Sequence, residues 1–252
     1  MKHNTFKLRQ KDHTIRGWIK KPDISVTRKV PLVILMHGVT LDKDNMLLQP
    51  LTDGLLKKEF AVLSFDFFAH GDSGGRWQEM SVGRWVKDAE EVLVYAGTLP
   101  YITDIFVVGH SQGGLTASIV AGRHPDLIKA MALYAPAAVI EDVGKEGNLL
   151  GVRFNPRNIP ERVPFFSSYL GRDFFRSAQK LHVYDTAVDY NGPVCILQGT
   201  SDEMVPLSYA WKYHYIYKGS KLYLFKDEDH MFHNHREDAA EVVVEFLMEC
   251  VQ

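Results

Sequence analysis

The stretch "DIFVVGHSQGGLTASIVAG", residues 104–122, decides the fold because two hydrophobic patterns meet at a single serine. Before Ser111 the run "IFVV" is continuously apolar, which is typical of a strand buried on both faces of a sheet. After Ser111 the apolar residues recur with helical spacing. Gly109 and Gly113 flank the serine in a Gly-x-Ser-x-Gly pattern. Strand, pattern and helix together predict a nucleophile elbow, the tight turn that exposes a serine hydroxyl.

Outward from the elbow, short apolar runs alternate with helix-like segments along the chain. The runs are "PLVILMH", "AVLSFD", "DIFVVGH", "IKAMALYA", "PVCILQG" and "KLYLFKD", and the helical segments are 47–58, 82–97, 113–123, 207–217 and 237–250. This alternation predicts an α/β fold with a mostly parallel central sheet and helices on both faces. The first two alternating stretches, "TFKLRQ" and "TIRGWIKK", predict an antiparallel hairpin.

One connection is much longer than the 2–6 residues that usually join a strand to a helix. No buried-strand run is seen between residues 137 and 190, although this segment is rich in Phe and Tyr. A disordered insert would lack such aromatic density. We therefore predict a core of residues 1–136 and 191–252, with residues 137–190 inserted as a lid over the carboxyl ends of the strands. A purely structural excursion is the alternative.

A serine nucleophile needs a base and an orienting acid downstream in the chain. Asp202 follows the run "PVCILQG", and His230 follows the last apolar run. The order Ser111, Asp202, His230 is that of α/β-hydrolases, and each residue leaves the carboxyl end of its own predicted strand. These three residues are the predicted catalytic triad. Neighbouring alternatives for the acid and the base are Glu203, His233 and His235.

The oxyanion of a tetrahedral intermediate needs two N–H donors. The backbone amide of Gln112, directly after the serine, is the first predicted donor. The second is the backbone amide of Val39, in the loop that begins with His37 and Gly38 after the first buried strand. For His37 we expect hydrogen bonds that hold this loop rather than a role as the base.

Composition excludes several other function classes. Across 252 residues the formal net charge is −2, so no basic surplus indicates nucleic acid. No apolar stretch is long enough for a membrane span, and the first residues lack the apolar region of a signal peptide. Two cysteines are too few for a disulfide scaffold, which favours a cytoplasmic protein with free thiols. The spacing of Asp229, His230, His233 and His235 matches no common zinc motif, so neither metal nor cofactor is expected.

Several phrases of the chain resemble the cinnamoyl (feruloyl) esterases of intestinal and rumen bacteria, within the α/β-hydrolase superfamily. They are "LMHGVTLDKDN", "DFFAHGDSGG", "GHSQGG", "LYAPAAV", "EGNLLGVRFNP", "IPERVPF", "GTSDEMVP" and "EDHMF". The resemblance covers most of the chain, and its lid phrases are the most restricted. It implies an inserted lid, the triad Ser111, Asp202 and His230, and the oxyanion donors Val39 and Gln112.

The resemblance breaks down at the substrate-reading positions of the lid. In that family a lid Asp, Gln and Tyr bind the phenolic hydroxyls of the cinnamoyl ring. The aligned positions here are Val143 with Asp142 beside it, Leu150 and Phe174. We take Asp142, Leu150 and Phe174 as the candidate substrate-binding residues of the lid. An apolar pocket discriminates less between substrates than a site built for a hydroxyl.

These features predict a serine esterase acting on hydroxycinnamate or related small aromatic esters through an acyl-enzyme. A general short-chain carboxylesterase or acylglycerol lipase is the first alternative, and a peptidase or thioesterase would use the same machinery. A non-catalytic ligand-binding protein of this fold is a third class, against which the complete triad argues. The oligomeric state stays open, a homodimer included.

Overall fold

The computed structural model describes residues 3–23 and 28–251. The predicted core ranges also include residues 1, 2, 24–27 and 252, which lie outside the described residues. The elements of the core are β1 (His3–Arg9), β2 (Thr14–Lys20), β3 (Val30–Met36), α1 (Gln49–Lys57), β4 (Ala61–Asp66), α2 (Val82–Gly97), β5 (Ile102–His110), α3 (Gln112–Arg123) and β6 (Ala130–Tyr134). A long connection follows β6, and after it come the last four elements of the core. All elements are numbered in chain order, so these four take the highest numbers. No described helix has the length and apolarity needed to cross a membrane.

The connection between β6 and the resumed core is built from small elements. They are α4 (Val139–Glu146), β7 (Asn148–Leu149), β8 (Val152–Arg153), β9 (Arg162–Phe165), β10 (Ser168–Gly171), α5 (Arg172–Ala178) and α6 (Val183–Ala187). The core then ends with β11 (Val194–Gly199), α7 (Leu207–Ile216), β12 (Lys221–Phe225) and α8 (Arg236–Val251). Two short antiparallel hairpins, β7–β8 and β9–β10, form separate sheets. Their strands are too short to show as apolar runs in the sequence.

The central sheet has eight strands in the order β1-β2-β4-β3-β5-β6-β11-β12. The predicted hairpin β1–β2 is antiparallel, and β2 pairs antiparallel with β4. The remaining pairs are parallel, so six carboxyl ends meet at one edge of the sheet. The α/β-hydrolase fold and its six predicted parallel strands are therefore confirmed.

Each face of the sheet has its own hydrophobic core. On one face α1 and α8 cover the sheet, with Leu51, Leu55 and Leu247 buried in that core. On the other face the core contains α2, α3 and α7 together with buried side chains of the inserted segment, among them Phe174 and Phe175. Buried side chains of the inserted segment thus belong to the same hydrophobic core as α2, α3 and α7 on this face.

One strand differs from its prediction. The run "KLYLFKD" reads as a strand buried on both faces, yet β12 is the edge strand and its residues are only partly buried or exposed. An apolar run indicates a strand but does not fix its place in the sheet, because an edge strand still needs β-propensity.

Candidate active site

The elbow between β5 and α3 holds Ser111 in a strained backbone conformation, with φ 57° and ψ −121°. A non-glycine residue at positive φ is uncommon and clusters at functional sites. The glycines on either side allow the turn. A Cβ on Gly109 would collide with the carbonyl oxygen of Gly113, and a Cβ on Gly113 would collide with that of Met36. The backbone N–H of Ser111 donates to the carbonyl of Tyr134 at 2.9 Å, which ties the elbow to β6.

The structure brings the predicted acid and base into direct contact. Nδ1–H of His230 donates to Oδ2 of Asp202 at 2.7 Å. The side chain of Asp202 is fully buried and that of His230 is 7% exposed, so the pair is shielded from water. Oδ1 of Asp202 accepts the backbone N–H groups of Met204 and Val205, both at 2.8 Å. These bonds fix the carboxylate and hold His230 in the tautomer whose Nε2 lone pair is free to accept a proton.

Nε2 of His230 is buried and has no hydrogen-bond partner among the described residues. It makes no hydrogen bond to Oγ of Ser111 in this structure, although the ring of His230 lies 4.8 Å from the ring of His110, the residue before Ser111. Nε2–H of His110 also donates to the backbone carbonyl of His230 at 2.9 Å. The strand β5 therefore holds the loop that carries His230 directly. In a protein without substrate, the serine–histidine bond is often long and shortens on binding.

The loop after β3 presents one of the two predicted oxyanion donors, the N–H of Val39, and the start of α3 presents the other, the N–H of Gln112. Nδ1–H of His37 donates to the carbonyl of Gly38 at 2.8 Å, and Nε2 of His37 accepts the N–H of Phe67 at 3.1 Å. Because a trans peptide is planar, its carbonyl and N–H point in opposite directions. Anchoring the Gly38 carbonyl therefore turns the Val39 N–H away from His37. The N–H of Gln112, the first residue of α3, has no intrahelical partner by geometry.

A cavity of about 200 Å³ opens above Ser111. Val39 and Gln112 line it, so the predicted oxyanion donors and the serine share one space. Its other walls are mainly apolar and come from the inserted segment and from the loop after β11. The lining residues from these two regions include Val143, Leu149, Leu150, Phe165, Leu170, Phe174, Met204 and Val205.

The three lid residues predicted to bind substrate do not all reach this cavity. Phe174, which is 2% exposed, and Leu150 both line it. Asp142 is not among the lining residues, because its carboxylate accepts the hydroxyl of Tyr209 on α7 at 2.6 Å. Two polar side chains line the cavity from the inserted segment and from the loop after β11. They are those of Asn148 and Glu203, and both residues are exposed. The buried walls of the cavity that lie beyond the elbow are thus apolar.

The neighbouring acidic and imidazole groups take part in other contacts. Glu203, the alternative acid, is exposed, whereas Asp202 contacts His230. His233 pairs with Asp229, and His235 donates to the buried carboxylate of Glu228 at 2.6 Å. Within residues 3–23 and 28–251, no group of three potential metal ligands is found. Through its hydrogen bond to Glu228, His235 anchors the loop after β12.

Two buried histidines make the stability of the fold depend on pH. Burial lowers the pKa of His37 and of His110 to about 3. In the unfolded chain a histidine titrates near 6.5, so unfolding takes up protons that the folded state excludes. The contribution of His37 and His110 to stability is therefore fully present above about pH 6.5 and is lost as the pH falls towards 3. From pH 7 to pH 5 we expect each histidine to lower the free energy of unfolding by about 2 kcal/mol.

Urea unfolding of His110→Gln at both pH values measures this contribution. The variant should lose about 2 kcal/mol less than the parent protein between pH 7 and pH 5. His182→Gln is the matched control, because the side chain of His182 is 69% exposed, and it should lose as much as the parent. An equal loss in His110→Gln and the parent would contradict the assignment.

Sequence reasoning missed two positioning contacts. Gln198, in the apolar run before Asp202, donates from Nε2 to Oδ2 of Asp202 at 2.8 Å. The second contact is that of His110, inside the elbow motif, with the backbone carbonyl of His230. The signal in both cases is a polar residue at the end of a buried strand, where it must have a hydrogen-bond partner.

The chain is similar to known proteins in sequence and in structure. The family described as serine aminopeptidase, S33, matches residues 27–160. The solved complex of ferulic acid with Est1E from Butyrivibrio proteoclasticus has a TM-score of 0.94 and 31% identity, covering 98% of this chain and 99% of that one. Human serine hydrolase BPHL is 26% identical over 73% of this chain and 68% of its own length. The monoglyceride lipase homolog of monkeypox virus is 25% identical over 81% of this chain and 86% of its own length.

Proposed function

The chain belongs to the serine aminopeptidase S33 family of α/β-hydrolases, and from this premise we propose that it hydrolyses carboxylic esters through an acyl-enzyme on Ser111. The observation that carries the proposal is the buried Asp202–His230 pair, whose Nε2 is unpartnered and whose ring lies 4.8 Å from that of His110, the residue before the strained serine. A protein that only binds ligands needs neither the strain nor the buried charge.

In the proposed mechanism, Oγ of Ser111 attacks the ester carbonyl while Nε2 of His230 takes its proton. Asp202 holds the ring and stabilises the imidazolium that forms. The N–H groups of Val39 and Gln112 bind the oxyanion. His230 then returns the proton to the departing alcohol. Water attacks the acyl-enzyme by the same route and releases the acid.

The size and the apolar walls of the cavity support a small aromatic acyl group as the part of the substrate that binds there. In this proposal residues 137–190 act as the lid. A cavity of about 150 Å³ lined by apolar side chains holds a benzene ring. The cavity of about 200 Å³ above Ser111 therefore has room for a ring and a short linker, as in a cinnamoyl group. Est1E, the structural relative at 31% identity, binds ferulic acid, a ring-hydroxylated cinnamic acid.

The same apolar walls also suit a short aliphatic acyl chain, because aliphatic side chains outnumber aromatic ones among them. A short-chain carboxylesterase or acylglycerol lipase is therefore the second candidate. Turnover of p-nitrophenyl acetate by the purified protein tests ester hydrolysis itself. A panel of methyl cinnamate, p-nitrophenyl butyrate and an aminoacyl p-nitroanilide then separates aryl esterase, alkyl esterase and peptidase activity.

The wall of the cavity also predicts which aromatic ring is preferred. A buried hydroxyl without a hydrogen-bond partner costs about 1–3 kcal/mol. Because Leu150 and Phe174 offer a phenol no partner, kcat/KM for methyl cinnamate should equal or exceed that for methyl ferulate or caffeate. Phe174→Tyr should shift the ratio roughly tenfold towards the hydroxylated rings.

Phe166→Tyr is the matched control for this substitution. Phe166 is 68% exposed at the end of the β9–β10 hairpin, so a hydroxyl added there stays in water and should leave the ratio unchanged. If the parent protein prefers ferulate or caffeate over cinnamate by tenfold or more, a polar group in the cavity reads the phenol. Asn148 and Glu203 would then be the first residues to exchange.

A further inference from the structure

Thr40, directly after the proposed oxyanion donor Val39, has a strained backbone with φ 68°. A β-branched residue at positive φ is an outlier that persists only where surrounding contacts hold it. Val39 lines the cavity with Ser111, so the strain lies one residue from the proposed chemistry. The contact that holds Thr40 is therefore of functional interest.

That contact comes from His70, in the turn after β4. The backbone N–H of Thr40 donates to Nε2 of His70 at 3.3 Å. On the other side of the ring, Nδ1–H of His70 donates to the carbonyl of Phe68 at 3.0 Å. A carbonyl only accepts and a backbone N–H only donates, so these partners require a neutral His70 with its proton on Nδ1.

The ring of His70 has little freedom to move. His70 is 5% exposed, and its ring centroid lies 5.0 Å from that of Trp77 and 5.0 Å from that of Trp85. The ring of His37 lies 5.2 Å away. The two histidines thus pack together, and each bonds one of the peptides that flank Val39. His37 holds the Gly38–Val39 peptide, and His70 holds the Val39–Thr40 peptide.

We propose that His70 is a positioning residue for the oxyanion hole, which aims the Val39 N–H at the cavity by fixing the Val39–Thr40 peptide. The inference rests on the proposed ester hydrolysis. Because the peptide plane on each side of Val39 is held, Val39 cannot rotate freely. Its N–H therefore points at the cavity before the substrate arrives. Donors fixed in advance are the main source of oxyanion stabilisation, since no reorganisation is needed during reaction.

Two substitutions separate the halves of the His70 contact. An asparagine places its amide near the position of Nδ1, so His70→Asn keeps a donor for Phe68 and loses the acceptor for Thr40. A glutamine reaches the position of Nε2, so His70→Gln restores that acceptor. Loss of one oxyanion donor lowers kcat about 10²–10³-fold, and a misaligned donor should have a smaller effect. We expect His70→Asn to lower kcat about 10- to 100-fold with KM changed less than about threefold.

The expected rescue is a kcat for His70→Gln within about fivefold of the parent protein. Binding of a trifluoromethyl ketone, which forms an oxyanion on the serine, should weaken in His70→Asn by the same factor as kcat. His13→Asn is the matched control. His13 contacts Phe68 and bonds the buried Asp88, so this variant should lower the melting temperature while kcat stays within twofold.

The outcomes separate the two proposals. Suppose that the parent protein is active. An unchanged kcat in His70→Asn, or an equal loss of kcat in His70→Asn and His70→Gln, then overturns the proposed role of His70 and leaves the proposed ester hydrolysis standing. A parent protein that neither hydrolyses p-nitrophenyl acetate nor binds the ketone overturns ester hydrolysis and this inference with it. If neither His70 variant folds, amide exchange of the parent protein decides. The Thr40 N–H should exchange much more slowly than an unprotected amide, and exchange at the unprotected rate contradicts the contact.

Discussion

Replacement of Ser111 by alanine is expected to lower kcat for p-nitrophenyl acetate about 10⁴-fold or more. The hydroxyl is the proposed nucleophile, and the chemistry that remains without it comes only from binding and the oxyanion hole. The same change should abolish covalent labelling by a fluorophosphonate, which reacts with an activated serine. Because Ser111 already has a strained conformation, an alanine at the same φ keeps the elbow, and circular dichroism should be unchanged.

Ser118→Ala is the matched control on the same helix. The hydroxyl of Ser118 is buried and contacts the carbonyl of Leu115 and the hydroxyl of Tyr213. This variant should lose some stability yet keep turnover and labelling. Undiminished labelling of Ser111→Ala would show that another side chain is the nucleophile.

Replacement of Asp202 by asparagine is expected to lower kcat by about 10⁴-fold, the second-largest effect. In the parent protein Oδ2 of Asp202 accepts from both His230 and Gln198. An amide N–H₂ facing His230 would favour the tautomer with the proton on Nε2, which cannot take a proton from Ser111. The imidazolium formed during reaction would also lose its charge partner.

Glu203→Gln provides the control for Asp202→Asn. Glu203 is exposed, so its replacement should change kcat less than threefold and act mainly on KM for substrates that reach the mouth of the cavity. If Glu203→Gln were the more damaging of the two, Asp202 would not be the orienting acid.

The order of strands and helices could be predicted because each element has its own local pattern of apolar residues. Buried parallel strands must be apolar throughout, and the helices between them must show an apolar face. The elbow was predictable for a similar reason, since only glycine fits at residues 109 and 113. The proposed triad followed from chain order, because six parallel strands bring their carboxyl ends to one edge.

The inserted segment could not be predicted in detail because its structure depends on contacts with the core. Its hairpins have strands of two and four residues, too short for a period to be read. The turns carry Leu150 at φ 48° and Phe166 at φ 50°, where turn chemistry favours Gly or Asn. The hydrogen bond of Asp142 could not be predicted either, because its partner Tyr209 lies on α7, distant in the chain.

The most direct test of the proposed chemistry is peptide-mapping mass spectrometry after a fluorophosphonate has inactivated the parent protein. We expect one adduct per chain, located on Ser111, formed in parallel with the loss of p-nitrophenyl acetate hydrolysis. Complete inactivation with Ser111 unmodified, or full activity with Ser111 modified, would contradict Ser111 as the nucleophile.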